Sequence, residues 1–522
     1  MDVDHHVIDR FTHGTNGLIL VYALSAAGVL AGFIRGGVRG LHILRFPITT
    51  IPVLVVSFIL VLIVKEFLPE KPWYLKEAVG YVLLLFFGFI GGLLMVKPSE
   101  EGHQRGTVLD EQPQRLRRKL RNADGLTLAG QPLDYADETK HFKLIGTTGT
   151  GKSTAIRELL AGALRRGDRA VIADPDGSYL SRFYDPHRGD VILNPFDPRA
   201  ARWDLFREMQ TATDADQLSR SLIADTEGTE RNWRNYARVL LTSLLRQLHR
   251  VKHNDVAELY QLLSVTPIDD LRELLNDTPA GPYLAQDNGK FFGAVRAVAN
   301  THLAALEHIA TQNSKTTLSV RRWIKRRTPG VLFLPYQANE IATLRSLIST
   351  WMRIAIFDTM SQPQGEIQDQ RLWFVIDELD ALGQIDSLKD ALARLRKFGG
   401  RCVLGFQSIA QVSGTYGHAE AQTIVENCGN TLILRCSASE NGGTARFASR
   451  LIGEREVTRE SVSESRGAGL FSRAQATKST SIQHVTESAV LPSQIEQLPD
   501  LEGYLKFAST PEWRRVRLRQ PS

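Results

Sequence analysis

The distribution of hydrophobic residues divides the chain into an apolar N-terminal part and a longer mixed part. Three apolar runs, at residues 17–34, 47–64 and 79–96, contain no ionised side chain. Each is close to the length that crosses the hydrocarbon core of a bilayer as a helix. We therefore predict a transmembrane anchor over residues 1–97. The pattern is consistent with three spans or with two, because the first run is short and rich in Gly and Ala.

The loops between the apolar runs differ in charge. Arg35, Arg39 and Arg45 follow the first run, whereas acidic and basic residues balance between the second and third runs. An excess of Arg and Lys marks the cytoplasmic loops of membrane proteins. The first loop and everything after residue 97 are therefore predicted to be cytoplasmic.

After residue 100, short apolar runs alternate with helical periodicity, which is typical of an α/β fold. The runs that predict buried strands are 142–145, 169–174, 190–194, 330–335, 372–376, 402–406 and 430–436. Residues 203–328 are helical in pattern, as at 236–248, and predict an inserted all-α domain. The sheet is then formed by residues 98–202 and 329–522. Residues 457–483 are polar and predict a mobile loop, while 503–508 and 514–520 predict an edge hairpin.

Composition and charge narrow the class of protein only slightly. The 522 residues carry a net charge of +6, which suits either nucleic acid or an anionic lipid surface as a partner. The basic stretch at 115–121 suits both partners equally, and a solvated charge run at the start of a domain is a third interpretation. Cys402, Cys428 and Cys436 lack metal-ligand spacing and are predicted to be buried thiols in a reducing compartment.

Residues 146–153 fit the G-x-x-x-x-G-K-[ST] pattern of a P-loop, or Walker A motif. An apolar strand precedes the loop and a helical pattern follows it, which is the context that the motif requires. In such a loop the backbone amides and Lys152 contact phosphates, and Ser153 binds Mg²⁺. We therefore predict ATP and Mg²⁺ as cofactors, held by Gly146, Thr147, Thr148, Gly149, Thr150, Gly151, Lys152, Ser153 and Thr154.

A second motif supplies carboxylates. The apolar run 372–376 ends in Asp377 and Glu378, the pattern of a Walker B motif, and we expect its strand to neighbour that of the P-loop. Asp377 is predicted to hold Mg²⁺ through water, and Glu378 is predicted to polarise the attacking water as a general base. A pure nucleotide switch would not need Glu378.

Two further candidates lie after the Walker B motif. Gln407 follows the run 402–406, at a strand end where open parallel sheets place ligand-contacting residues, and is a candidate γ-phosphate sensor. The helical stretch 388–398 carries Arg394, Arg396 and Lys397, so an arginine finger would come from here if subunits share their sites. An ordinary solvated basic face is the alternative interpretation of this helix.

The ordered set of motifs resembles the type IV secretion coupling proteins, the membrane-anchored hexameric ATPases of bacterial conjugation. The resemblance covers nearly the whole chain after residue 100. It includes "RGT" at 105–107, the P-loop, "NPFDPRAARWDLF" at 194–206, "FVIDELDALG" at 374–383 and "LGFQS" at 404–408. It implies a RecA-like nucleotide-binding domain, a membrane-distal all-α domain and six subunits around a channel for single-stranded DNA.

The resemblance also implies roles for individual residues. Lys152 and Ser153 are assigned to phosphate and Mg²⁺, Asp377 and Glu378 to Mg²⁺ and water, Gln407 to γ-phosphate sensing and Arg396 to the trans arginine finger. Arg394 lies within one helical turn of Arg396 and is the alternative finger. Many relatives look two-span, whereas three apolar runs occur here.

The expected function is that of a DNA-dependent ATPase, multi-pass in the bacterial inner membrane with its ATPase body in the cytoplasm. It would couple a relaxase-processed plasmid strand to a type IV secretion channel, with relaxosome and channel proteins as partners and a homohexamer as the assembly. One alternative is an ATP-switched substrate receptor that does not itself pump DNA. Another is a ring unfoldase or protease, but the chain has no H-E-x-x-H motif for a proteolytic zinc.

Overall fold

The computed structural model of the chain describes residues 103–110, 125–226, 228–362, 371–439, 442–465 and 477–519, with a few isolated positions before them. The predicted spans at 17–34, 47–64 and 79–96 and the basic stretch 115–121 lie outside these ranges. Within the described part, no helix is both long and apolar enough to cross a bilayer. The chain divides into two compact units, Gln104–Val457 with His484–Ser522, and Met1–His103 with Thr458–Gln483.

The strands follow one another along the described chain with helices between many of them. In chain order they are β1 His103–Gly106, β2 Leu109–Asp110, β3 Thr127–Leu128, β4 Gln131–Pro132, β5 Phe142–Ile145, β6 Arg169–Pro175, β7 Val191–Ile192, β8 Arg202–Trp203, β9 Thr317–Leu318, β10 Val331–Tyr336, β11 Leu372–Ile376, β12 Gly400–Phe406, β13 Asn430–Ile433, β14 Glu454–Ser465, β15 Thr477–Ser488, β16 Glu502–Lys506 and β17 Trp513–Arg517.

The α-helices concentrate between β8 and β9 and after β10. They are α1 Tyr135–Glu138, α2 Lys152–Arg165, α3 Leu180–Phe183, α4 Ala212–Leu222, α5 Glu230–Val251, α6 Val256–Ser264, α7 Ile268–Leu275, α8 Gly289–Leu303, α9 Ala305–Thr311, α10 Val320–Lys325, α11 Ile341–Met360, α12 Leu388–Leu395, α13 Ile409–Tyr416, α14 His418–Glu426, α15 Gly443–Ile452 and α16 Pro492–Glu496. Short 3₁₀ turns occupy Pro186–Arg188, Leu205–Glu208, Gly281–Leu284, Gln286–Asn288 and Arg396–Phe398.

Among the described residues, ten strands form the main sheet, in the order β2-β17-β16-β13-β5-β12-β11-β6-β10-β7. The strands from β13 to β7 are parallel to one another. Their carboxyl ends therefore lie at one edge of the sheet, which we call the carboxyl edge. Their amino ends lie at the opposite, amino edge. Open parallel sheets bind ligands at the carboxyl edge, so the segments after these strands are candidates for a site.

Two hydrophobic cores cover the two faces of this sheet, because successive side chains of a strand point to opposite faces. Phe142 and Leu144 of β5 pack with Ile156 and Leu160 of α2 in one core. Leu404 and Phe406 of β12 belong to the other core, which continues into the helical segment between β8 and β9. The fold is therefore mixed α/β with a central, mainly parallel sheet.

The helical segment has the amphipathic pattern that its sequence predicts. Buried leucines recur along α5 at the i, i+3 and i+4 spacing of one helix face. They are Leu240, Leu241, Leu244, Leu245 and Leu248. The parallel pairing of β8 with β9 joins the two ends of the segment. The segment belongs to the same compact unit as the sheet. The exact boundaries at 97, 202 and 328 stay predictions.

The C-terminal region corrects one prediction and confirms another. The predicted mobile loop at 457–483 is wrong for residues up to 465 and from 477, which belong to β14 and β15. Val, Thr and Ile recur there among the polar residues, and β-branched side chains favour strands even where overall hydrophobicity is low. The predicted hairpin is the antiparallel pair β16 and β17, although β2 pairs with β17 on its outer side. The three cysteines are free and buried, as predicted.

Candidate functional site

The P-loop joins the carboxyl end of β5 to the first residue of α2, and its backbone needs glycine. Gly149 and Gly151 have φ angles of 78° and 117°, which side-chain-bearing residues rarely adopt. A Cβ on Gly151 would also lie 2.8 Å from Cδ1 of Leu518 and 2.9 Å from Cδ2 of Leu501. The first amides of α2 have no acceptor within the helix, so they are available to an anion at its N-terminus.

The side chain of Lys152 folds back onto the loop. Its Nζ donates hydrogen bonds to the carbonyl oxygens of Gly146 at 2.6 Å and Thr147 at 3.3 Å. Burial lowers the pKa of Lys152, and the negative charges of Asp377 and Glu378 oppose that shift. The ammonium group is therefore held by the loop that curves around it and lies near the two Walker B carboxylates.

The oxygen atoms of Ser153 and Asp377 meet at the carboxyl edge. The Ser153 hydroxyl donates to Oδ2 of Asp377 at 2.6 Å, and the Tyr179 hydroxyl donates to the same oxygen at 2.7 Å. Oδ1 of Asp377 is buried, and none of the described residues forms a hydrogen bond with it. Mg²⁺ prefers such hard oxygen ligands together with water, so this pair fits the cation that the sequence predicts.

Glu378 and the P-loop are connected through the side-chain amide of Gln407. The amide nitrogen of Gln407 donates to Oε1 of Glu378 at 3.0 Å, and its oxygen accepts from the Thr148 hydroxyl at 3.0 Å. Burial raises the pKa of Glu378, while the hydrogen bond from Gln407 opposes the shift. A change in the P-loop can therefore be transmitted to the candidate general base by one side chain.

The order of the strands explains how Gln407 reaches both partners. The sequence predicts neighbouring strands for the two Walker motifs, and this expectation is wrong, because β12 lies between β5 and β11. Gln407 follows β12 and so lies between the two motifs. Gly405 of β12 is required for the close approach, since a Cβ there would lie 2.2 Å from the carbonyl oxygen of Asp377.

Three residues at the carboxyl edge were missed by sequence reasoning: Asp174, Tyr179 and Tyr336. Asp174 ends the strand that the sequence predicts at 169–174, so the rule that sites form at strand ends could have found it. Its carboxylate accepts from the amides of Tyr179 at 3.0 Å and Leu180 at 2.7 Å. Burial raises the pKa of Asp174 to about 6. No short motif marks Tyr179 or Tyr336, whose hydroxyls are buried near the Walker B carboxylates.

Arg396 is not brought to this site within one chain. It belongs to the 3₁₀ turn that follows α12 and precedes β12, at the amino edge. Burial is the main cause that lowers the pKa of His141 to about 4, and the positive charges of Arg396 and Arg401 lower it further. Since His141 directly precedes β5, Arg396 lies near the start of that strand. Arg394 and Arg396 are both exposed. The P-loop begins at the other end of β5.

The chain is similar in sequence to proteins of conjugation and secretion. Residues 125–519 match the family described as the type IV secretion-system coupling protein DNA-binding domain. Coupling protein TraD of Escherichia coli strain K12 is 30% identical over 452 residues, which are 84% of this chain and 62% of TraD. The type IV secretion system-coupling protein VirD4 of Bartonella quintana is 29% identical over 363 residues, 66% of this chain and 54% of VirD4. The chain thus spans less than two thirds of the length of these relatives.

Solved structures of the plasmid coupling protein TrwB have a similar fold. The complex of TrwB with ADP and Mg²⁺ is 31% identical, has a TM-score of 0.70, and covers 80% of this chain and 95% of its own. The complex with the non-hydrolysable ATP analogue ADPNP is 32% identical with the same TM-score and the same coverage. The mixed α/β architecture with its central parallel sheet is therefore RecA-like.

Proposed function

This chain belongs to the type IV secretion coupling protein family, and we propose that it is an ATP-driven DNA translocase of bacterial conjugation. It would hydrolyse ATP and couple a relaxase-processed plasmid strand to a secretion channel. The observation that supports hydrolysis best is the convergence of the P-loop, Asp377, Glu378 and Gln407 at the carboxyl edge. The solved complexes of TrwB with ADP and Mg²⁺ and with ADPNP support ATP and Mg²⁺ as the cofactors.

We propose the following roles within one chain. The P-loop amides and Lys152 bind the β- and γ-phosphates, and Ser153 and Asp377 hold Mg²⁺. Mg²⁺ supplies positive charge that offsets the negative charge of the phosphates. Glu378 accepts a proton from the attacking water, and burial raises its pKa, which makes it a stronger base. Gln407 senses the γ-phosphate, because it contacts both the P-loop and Glu378.

The position of Arg396 supports an assembly in which sites are shared. A finger on the amino edge cannot serve the P-loop of its own chain, which lies at the carboxyl edge of the same sheet. It can serve the P-loop of a neighbour if the two edges face each other around a ring. We therefore propose a homohexamer in which Arg396 acts in trans.

The apolar runs at 17–34, 47–64 and 79–96 support an anchor in the bacterial inner membrane, with the ATPase body in the cytoplasm. Relaxosome proteins, secretion channel proteins and single-stranded DNA are the proposed partners. The family description as a DNA-binding domain supports the last of these.

The test is an ATPase assay on the full chain in detergent, with and without single-stranded DNA. We expect DNA to stimulate hydrolysis by the wild type and Lys152→Ala to abolish it, because the P-loop then lacks its cation. Lys290→Ala, which removes an exposed lysine in α8, is the matched control and should hydrolyse like the wild type. Nucleotide binding without hydrolysis in the wild type would instead favour a receptor that ATP only switches.

A further inference from the structure

A pocket at the amino edge is lined mainly by arginines. Its volume is about 180 Å³, and its charged lining consists of Arg166, Asp168, Arg169, Arg327 and Arg371. It lies where β6, β10 and β11 begin, at the edge of the sheet opposite to the P-loop. Among the described residues, four arginines and one carboxylate line the pocket, which gives it an excess of positive charge.

Arg169 is the most unusual of these arginines, because it is only 8% exposed. Its guanidinium donates to the carbonyls of Trp323 at 2.6 Å and Ile324 at 3.1 Å, and it stacks on the Trp323 ring at 4.3 Å. Its Nε has no hydrogen-bond partner in the described part of the chain. Burial lowers the pKa of Arg169 to about 10. A buried cation that donates its hydrogen bonds to carbonyl oxygens and has no carboxylate partner is costly, and an anion in the pocket would offset that cost.

The carboxylate that lines the pocket already accepts hydrogen bonds from other groups. Asp168 accepts from Arg166 at 2.6 Å and from the Trp373 indole at 2.8 Å. Glu138, behind Arg166, accepts from Arg166 at 2.8 Å and from Arg401 at 2.9 Å. These acidic groups therefore neutralise Arg166 and Arg401 rather than Arg169.

Arg371 extends the charged surface from the pocket to an exposed aromatic ring. Its side chain is 36% exposed, lies 3.8 Å from Asp168 and lines the pocket. The same guanidinium lies 5.4 Å from the ring centroid of Tyr135, which is 51% exposed. Basic side chains beside an exposed aromatic ring can bind single-stranded nucleic acid, with a phosphate on the cations and a base stacked on the ring.

We propose that the pocket binds a backbone phosphate of single-stranded nucleic acid and that the adjacent base stacks on Tyr135. This rests on the proposed function as a DNA translocase and adds a contact site at the amino edge. A free nucleotide carries the same phosphate chemistry, so the experiment separates the two sources.

The experiment measures binding of a fluorescein-labelled oligo-dT strand to the full chain in detergent, by anisotropy at several salt concentrations. We expect Tyr135→Ala to weaken binding about fivefold or more, because stacking of one base contributes about 1–3 kcal/mol. Tyr135→Phe keeps the ring and should bind like the wild type. We expect Arg371→Ala to weaken binding and to reduce the slope of log K against log salt by about 0.7, the value for one phosphate contact to a single strand.

Arg250→Ala is the matched control, because it removes an exposed arginine of α5 far along the chain from the pocket residues. Thermal melting of each variant checks that it is folded. If Arg371→Ala and Tyr135→Ala bind DNA as Arg250→Ala does, the pocket assignment is overturned. In a second experiment, the same variants are titrated with a fluorescent ATP analogue. If they lose affinity for ATP while their affinity for DNA is unchanged, the pocket assignment is also overturned. If the wild type neither binds DNA nor hydrolyses ATP, the proposed function itself fails.

Discussion

The hydrogen bond from Tyr179 to Asp377 gives a sharp test of the metal site, through the variant Tyr179→Phe. The hydroxyl of Tyr179 lies 2.7 Å from Oδ2 of Asp377, and the residue is fully buried. Phenylalanine keeps the ring and leaves almost no cavity, so the substitution removes one hydrogen bond and little else. Ser153 donates to the same oxygen and is itself a proposed Mg²⁺ ligand, whereas Tyr179 acts only by positioning Asp377.

The size of the effect follows from the charge of the acceptor. A hydrogen bond to an ionised group contributes about 1.5–3 kcal/mol. Since about 1.4 kcal/mol corresponds to a factor of ten, the Mg²⁺ concentration for half-maximal ATPase activity should rise about tenfold or more. The maximal rate at saturating Mg²⁺ should change less, because Tyr179 positions Asp377 and does not contact the phosphates.

The assay is ATP hydrolysis as a function of Mg²⁺ at fixed nucleotide concentration. Tyr336→Phe is the matched control, because the Tyr336 hydroxyl is also buried at the carboxyl edge but finds no hydrogen-bond partner among the described residues. It should leave the Mg²⁺ dependence unchanged. Equal Mg²⁺ dependence in the wild type and Tyr179→Phe, with both folded, would refute the role given to Tyr179.

Three further predictions concern Gln407, Gly405 and Arg396. Gln407→Leu removes the hydrogen bond that opposes the raised pKa of Glu378, so the acid limb of the ATPase pH profile should move to higher pH; an unmoved or lower limb would contradict this. Gly405→Ala places a Cβ 2.2 Å from the Asp377 carbonyl oxygen. It should lower the free energy of unfolding in denaturant by about 1–3 kcal/mol and reduce ATPase activity. An unchanged free energy of unfolding and unchanged activity would show that β12 can move. Arg396→Ala should leave nucleotide affinity nearly intact and reduce turnover by about 10³-fold, and a normal turnover would exclude it as the finger.

The sequence predicted the parts of the site that are contiguous along the chain. The P-loop could be predicted because strand, glycines, lysine and helix follow one another within about twenty residues. Asp377 and Glu378 could be predicted because a carboxylate pair directly after an apolar run is a local pattern. The sequence also predicted the strands β5, β6, β10, β11 and β12, since buried parallel strands are continuous apolar runs.

The rest of the site depends on contacts between distant segments. Neither the position of β12 between β5 and β11 nor the contact of Gln407 with Thr148 can be derived from residue order. Tyr179 reaches Asp377 across 198 positions of sequence, and its only local sign is a turn after a predicted strand. The strands β14 and β15 were missed for another reason, since their pairing rather than their hydrophobicity makes them strands.

The carboxylates of the carboxyl edge and the arginines of the amino edge carry opposite charges, and this bears on the proposed ring of subunits. The carboxyl edge gathers the carboxylates of Asp174, Asp377 and Glu378 around one P-loop lysine. The amino edge carries Arg371 and Arg396, at opposite ends of the segment that contains β11 and α12. Bound ATP brings negative charge to a site that is already rich in carboxylates, so a further cation would favour phosphoryl transfer. One chain cannot deliver the cations of its amino edge to its own carboxyl edge, because the length of the strands separates them. In the proposed ring a neighbouring copy would supply them, and ATP turnover and contact with nucleic acid would then meet at the same boundary between subunits.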